Sequence, residues 1–351
     1  MATKKSTRKN KRKHGRRYLK RAARRTIAAL LMVTALIVAA IPATPGHAGD
    51  APIISGNVTF YYAGVNMYFN QITNPGQTDE LILTKIKPAS YDTTTGIVTE
   101  KEFGDDPIPV TIPSEIEIKT NTVTPPNDNK NAPTYKCTTI SNALDGKKHI
   151  NTLTASTVET IEPMAFQGCT DLTEVNAGAC TTVGDFAFDG CKNLTNCTLS
   201  NNVKTIGQAA FRDCGKLSNF TMPESVDILG SSAFEGAGLE GTQANPVIVP
   251  GKPNGAGTTL NGDLFKGCIS LNAVKFASNI TRIGAKDFYG CKNLHYLSLP
   301  DDLSSIGGDA FYGCEGLEEI TIPGTVGDSI MYPTIFISAN SLHFIALDND
   351  T

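Results

Sequence analysis

The chain of 351 residues has no tryptophan and only five histidines. Its first 48 residues contain no acid, and no long apolar run follows residue 41. Each absence excludes something. Only His149, His295 and His343 lie beyond residue 48. Each stands beside the Leu or Ile that opens a strand-like run, and no two are spaced as a metal-ligand pair. Nine cysteines include no Cys-x-x-Cys, so the usual zinc spacing is missing. There is no Gly-x-Ser-x-Gly, no His-Glu-x-x-His and no phosphate-binding glycine loop. Glu318-Glu319 is not a catalytic couple, because adjacent strand residues face opposite ways. Asp348-Asn-Asp350 starts like a calcium loop, but the later ligands do not follow. The sequence offers no catalytic residue, no cofactor site and no metal site.

What the N-terminus does contain is basic charge. The first 25 residues hold 13 Lys or Arg, and an apolar run covers 27–41. Small residues at Gly46 and Ala48 then complete the pattern of a secretory signal peptide, residues 1–48. An uncleaved anchor is the alternative, but the run is shorter than the roughly 20 residues of a span. The long basic start resembles Gram-positive bacterial signals. After residue 48 there are 18 basic residues against 34 acidic ones, a net charge of −16. Such a chain repels phosphate backbones, so no nucleic-acid partner is expected. No membrane span is expected after cleavage.

The rest is dominated by a repeat. AFQGC at 165–169 recurs as AFDGC, AFRDC, AFEGA, LFKGC, DFYGC and AFYGC. Its Phe residues, Phe166, Phe188, Phe211, Phe234, Phe265, Phe288 and Phe311, are spaced by 22, 23, 23, 31, 23 and 23. Degenerate copies around Leu144 and Phe336 extend the series to about nine units over 134–351. In each unit a run such as Leu317-x-x-Ile320-x-Ile322-Pro323 predicts a short strand ended by proline. Ile306-Gly307 predicts a tight turn or close backbone approach. Residues 309–312 predict one helical turn carrying Phe311 inward, and Gly313 a left-handed exit. One unit cannot bury these side chains alone, whereas stacked copies form columns about 4.8 Å apart.

The match of Leu294-x-x-Leu297-x-Leu299-Pro300-x-x-Leu303-x-x-Ile306-Gly307-x-x-Ala310-Phe311-x-Gly313-Cys314 resembles the BspA-type leucine-rich repeat. The resemblance implies a leucine-rich repeat solenoid, a right-handed β/α superhelix with a parallel sheet and short helical turns. It also implies a secreted or surface-attached protein, with adhesion to host or cell-surface molecules as one role; a passive spacer or scaffold displaying another domain is the structural alternative. The family pattern carries no catalytic residue.

Residues 49–133 lack the Phe repeat and predict a small β-rich cap, with an inserted loop near 117–134 that contains Pro125-Pro126. Val110-Thr-Ile112-Pro113 already matches the strand half of a unit, so the sheet is expected to begin near residue 108. The 31-residue spacing after Phe234 places extra residues around 241–245 and 254–258, either as a binding loop or as neutral insertion. The last unit has no evident polar cap and no cell-wall sorting motif, which leaves either a fragment or a cap improvised from 336–347.

Six cysteines occupy the Gly-Cys slot, filled by Ala237 and Ala339 elsewhere, and Cys137, Cys180 and Cys197 occupy other apolar slots. Free, buried cysteines are expected. Disulfides Cys191–Cys214 or Cys268–Cys291 are the alternative by distance.

Variation is concentrated on the exposed side of the strands. The candidate binding face comprises Asn196, Thr198, Asn219, Thr221, Lys275, Tyr296, Ser298, Glu319, Thr321 and Phe344, with Tyr296 and Phe344 as aromatic anchors for a protein or glycan. A merely solubilising polar face is the alternative.

Overall fold

The computed structural model describes residues 54–55, 57–62, 65–72, 80–92, 97–100, 107–112, 116–117, 134–145, 147–251, 258–326, 335–342 and 344–348. The expected leader, most of the 117–134 loop and residues 252–257 lie outside these.

Inward apolar residues at two-residue spacing make each unit's strand, and the strands stack in parallel. Ile108–Ile112, Ile150–Ala155, Glu174–Ala177 and Asn196–Leu199 form one sheet on the strand face. Val247–Val249, Ala273–Phe276 and Tyr296–Ser298 form a second, and Glu319–Pro323 pairs with Phe344–Asp348. The sheet thus begins at residue 108, as the Val110-Thr-Ile112 pattern indicates. On the far edge of each turn, Thr160–Ile161, Thr182–Val183, Thr205–Ile206 and Ile228–Leu229 build another parallel ladder. At its start, Thr134–Asp145 joins Glu80–Asp92, which leads into antiparallel Val65–Ile72 and Asn57–Tyr62. The result is a parallel β-solenoid of about seven turns.

The expected helical turns do not form, so a β/α superhelix is the wrong description. The described residues hold only 3-10 turns, at Lys147–His149 and 324–326. The reason lies in the residue before Ala-Phe. Met164, Phe186, Ala209, Ser232, Asp263, Lys286 and Asp309 all have φ between 50° and 62°. A right-handed helix cannot pass through a left-handed residue. The Gly slot four residues later is left-handed too, as at Gly313 (φ 70°), so Ala-Phe-x is bracketed on both sides. Amide groups that a helix would use internally point along the stack instead. Phe166 N–H donates to Ala187 C=O at 2.7 Å, and Gly168 N–H to Asp189 C=O at 2.7 Å. Each corner is therefore a rung of a third ladder.

The Phe column forms the core. Phe166, Phe188, Phe211, Phe234, Phe265, Phe288, Phe311 and Phe336 stack with ring centroids 5.2–6.0 Å apart. The widest step, Phe234 to Phe265, is the one that spans the long spacing. Each ring contributes about 1.5–3 kcal/mol by burial. Gly307 allows close approach: a Cβ there would lie 2.3 Å from the Ala285 backbone nitrogen. Outside the column, Asp189 accepts two hydrogen bonds from the Arg212 guanidinium, both 2.9 Å, and one from Gln167 at 3.0 Å. Further along the same line, Tyr289 and Tyr312 stack at 4.7 Å with rings 5° from parallel.

All nine cysteines are buried and free. The thiols of Cys191, Cys214, Cys268, Cys291 and Cys314 each donate to a Phe carbonyl one turn earlier, at 2.9–3.1 Å. Burial pushes the thiols of Cys137, Cys268 and Cys314 up to about 12 and that of Cys180 to about 11.

The long spacing leaves a scar inside the stack. The register shifts between Thr258 and Thr259. Elsewhere the Ile-Gly amide donates to the previous turn, as Gly230 N–H does to Ile206 C=O at 2.8 Å. Gly284 N–H instead donates to the Asp287 carboxylate at 2.6 Å, and Leu264 N–H to its other oxygen at 3.1 Å. Asp287 fills a slot held by alanine in most units and is fully buried.

Candidate binding face

The strand face shows every candidate except Phe344, whose side chain lies outside the described residues. The others are all exposed. They do not form one continuous surface. Ladder pairing sets Thr154, Asn176 and Thr198 side by side, and Thr152, Glu174 and Asn196 beside them. A second panel aligns Lys275 with Ser298, and Ala273 with Tyr296. In the third panel Thr321 faces Ala346, and Glu319 stands opposite Phe344 in register.

One residue was missed in the sequence. Ile248 pairs with Lys275 and is 49% exposed. It stands between the inward Val247 and Val249, in the column that holds Thr198 and Thr221 elsewhere. An isoleucine in a polar column was the available signal. With Tyr296, 44% exposed, it gives the second panel an apolar character.

Between the first two panels the ladder fails. Residues 219–222 belong to no strand, and their backbone makes no hydrogen bond among the described residues. Thr173 and Thr195 N–H reach back to Asn151 and Thr173 C=O, but the equivalent Ser218 N–H turns to Lys216 C=O. The physical cause is Phe220. Its inward slot holds Val175, Cys197, Val247 and Val274 in neighbouring units. A phenyl ring there lodges between two rungs of the Phe column, 5.0 Å from Phe211 and 5.3 Å from Phe234, tilted 46° to both. A larger side chain thus stands where the neighbouring strands carry smaller ones.

The gap is a cleft of about 910 Å³. Thr198, Asn219 and Thr221 line it, with Asn201, Lys204, Glu224 and Ser225. Cys197, Leu199, Met222 and Pro223 give it an apolar floor. Three of the candidates thus share one site, while Asn196 lies just outside. Lys204 leans toward Asp227, 3.9 Å away.

A family model of the BspA type leucine rich repeat region matches residues 138–246 and 258–350, in six copies. The chain belongs to the BspA-type leucine-rich repeat family. Solved structures similar to this BspA-type chain include a leucine-rich repeat protein of T. pallidum, with 21% identity, 71% of this chain and 87% of that one covered, and a TM-score of 0.44. A leucine-rich cell surface protein of Faecalibacterium prausnitzii has 18% identity, coverage of 86% and 96%, and a TM-score of 0.28. The pneumococcal vaccine antigen PcpA has 17% identity, coverage of 83% and 88%, and a TM-score of 0.34. No curated protein matches this BspA-type chain.

Proposed function

We propose that this chain is a secreted or cell-surface binding protein without catalytic activity, and that its strand face contacts a protein or glycan on another surface. The observation that carries this is the cleft at 219–222. There the repeat stops sealing its own ladder, and three variable residues, Thr198, Asn219 and Thr221, converge. The basic and apolar leader supports export. Family membership is consistent with a binding or scaffold role. Among the described residues no group of three or more His, Cys, Asp or Glu could hold a metal ion, and no helix is long and apolar enough to cross a membrane.

The test is capture. The full chain, immobilised, is presented to bacterial and host surface extracts and to a glycan array. Thr221→Ala, Lys275→Ala and Tyr296→Ala are compared in parallel. Retention of a defined ligand that one of these variants weakens at least about tenfold fits hot-spot behaviour and supports the proposal. Absence of any ligand, with all three variants indistinguishable from wild type, makes the chain a passive spacer.

A further inference from the structure

Neighbouring turns are ordinarily fastened along three lines: the strand face, the far edge and the corner. Between the turns of Phe188 and Phe211 all three are present. Glu174–Ala177 pairs with Asn196–Leu199, Thr182–Val183 pairs with Thr205–Ile206, and on the corner Phe188 N–H donates to Ala210 C=O at 2.8 Å. Between the turns of Phe211 and Phe234 the strand line is lost, but Thr205–Ile206 still pairs with Ile228–Leu229. Between the turns of Phe234 and Phe265 two lines are lost. Val247–Val249 is an end strand of its sheet, and no described residue pairs with its side toward 219–222. Ile228–Leu229 ends one edge ladder and Thr258–Thr259 begins the next. Among the described residues only the Asn261 side-chain amide crosses there, to Leu229 C=O at 3.2 Å.

What remains at this junction is the corner. The amides of Ser232, Phe234 and Gly236 donate to the carbonyls of Gly262, Leu264 and Lys266 at 3.1, 3.0 and 2.8 Å. The Cys268 thiol donates to Phe234 C=O at 2.9 Å, and Lys266 pairs with Glu235 at 2.9 Å. Phe234 and Phe265 stand 6.0 Å apart, against 5.2–5.5 Å at the other steps of the column. Two lines of bonds resist rotation between turns, whereas a single line is an axis. We infer that this junction is a hinge. The turns up to Phe234 and those from Phe265 onward move as two rigid blocks about the corner ladder, parting and closing the strand face between Thr221 and Ile248. Ring stacking of Phe234 on Phe265 tolerates a change of offset. In a solenoid each turn touches only its neighbours, so one weak interface separates two cooperative units. The first panel of the strand face lies in one block and the second in the other, so the hinge sets the angle between them. A partner that touches both panels selects one angle.

The experiment measures distances between spin labels in the full chain. All nine native cysteines are buried, so a nitroxide thiol reagent labels introduced, exposed cysteines. Thr198→Cys with Ser298→Cys spans the hinge, and Thr111→Cys with Thr221→Cys lies within one block. All four positions are exposed in the same outward column of the strand face. The two members of each pair are four strand spacings apart, roughly 19 Å. Double electron–electron resonance should give a distance distribution at least about twice as broad for the spanning pair as for the control. Equal widths overturn the inference. Where a labelled variant does not fold, hydrogen exchange on the wild type in mild denaturant decides. Strand amides at 174–199 and at 273–298 should then fall into two groups, each with its own protection. One common protection overturns the hinge. Neither readout involves a ligand, so a rigid junction leaves the binding function untouched, and a ligand search that fails leaves the hinge untouched.

Discussion

The Cys191 thiol donates to the carbonyl oxygen of Phe166, 3.1 Å away and one turn earlier in the stack. The same carbonyl accepts the Cys169 amide at 3.0 Å. One oxygen thus ties its own corner together and tethers the corner of the next turn. Cys214, Cys268, Cys291 and Cys314 repeat the arrangement.

Because these thiols are sealed and donating, they should be inert in the folded protein. Burial also keeps them from the reactive thiolate form, with Cys314 pushed up to about 12. Colorimetric thiol titration of native protein at pH 8 should find almost none reactive. In denaturant without reductant it should find nine. A shortfall after unfolding would reveal disulfides and refute the free-thiol column.

Gly307 and Gly308 are adjacent and make opposite predictions. A Cβ on Gly307 would meet the Ala285 backbone at 2.3 Å, whereas one on Gly308 meets nothing within 4 Å. Gly307→Ala should cost about 2 kcal/mol or more, and Gly308→Ala less than about 0.5 kcal/mol. Chemical denaturation of the two variants checks this, and equal midpoints would contradict the close-packed turn.

The Asp287 carboxyl is pushed up to about 6 from its ordinary 3.8, first by burial, with the Leu264 and Gly284 amides opposing. The folded form therefore holds this proton more tightly than the unfolded form does. Its contribution to stability is fully present below about 3.8 and is lost as pH rises through about 6, by roughly 3 kcal/mol. Asp287→Asn should remove that component. Stability measured between pH 4 and pH 7 should decline more in wild type than in the variant, and parallel curves would refute the assignment.

Asp189 joins three consecutive turns through Gln167 and Arg212. Asp189→Ala should cost about 1–2 kcal/mol, since the bonds are charge-assisted but Arg212 remains partly solvated. Arg212→Ala should cost at least as much, because it leaves the buried Asp189 carboxylate without its cation. Thermal melts of both variants and the double variant test the coupling, and strict additivity would show that the pair does not interact.

The solenoid was legible because its evidence is periodic. Phe166 to Phe311 recur at a spacing that only stacked turns satisfy, and Gly313 marks its own left-handed exit. The corner geometry was not legible. The residue that breaks the helix is Met164, Phe186, Ala209 or Lys286 in different units, and none of these announces a positive φ. Tertiary hydrogen bonds along the stack impose it. The candidate face was legible as a set of columns, but the cleft was not. Phe220 satisfies an apolar pattern, and only its volume beside Val175 and Cys197 distinguishes it. Asp287 is an acid in a slot that is alanine in most units, yet its role depends on a register shift that no single sequence displays.

The stacked Tyr289 and Tyr312 rings give the molecule its own optical label. Without tryptophan, the near-ultraviolet dichroism of two parallel phenols 4.7 Å apart is overlaid only by the eight other tyrosines and the phenylalanines. The part of that signal that a Tyr312→Phe variant removes reports on two neighbouring turns. Followed alongside a whole-chain probe, it distinguishes a solenoid that frays from its C-terminal end from one that melts as a single unit.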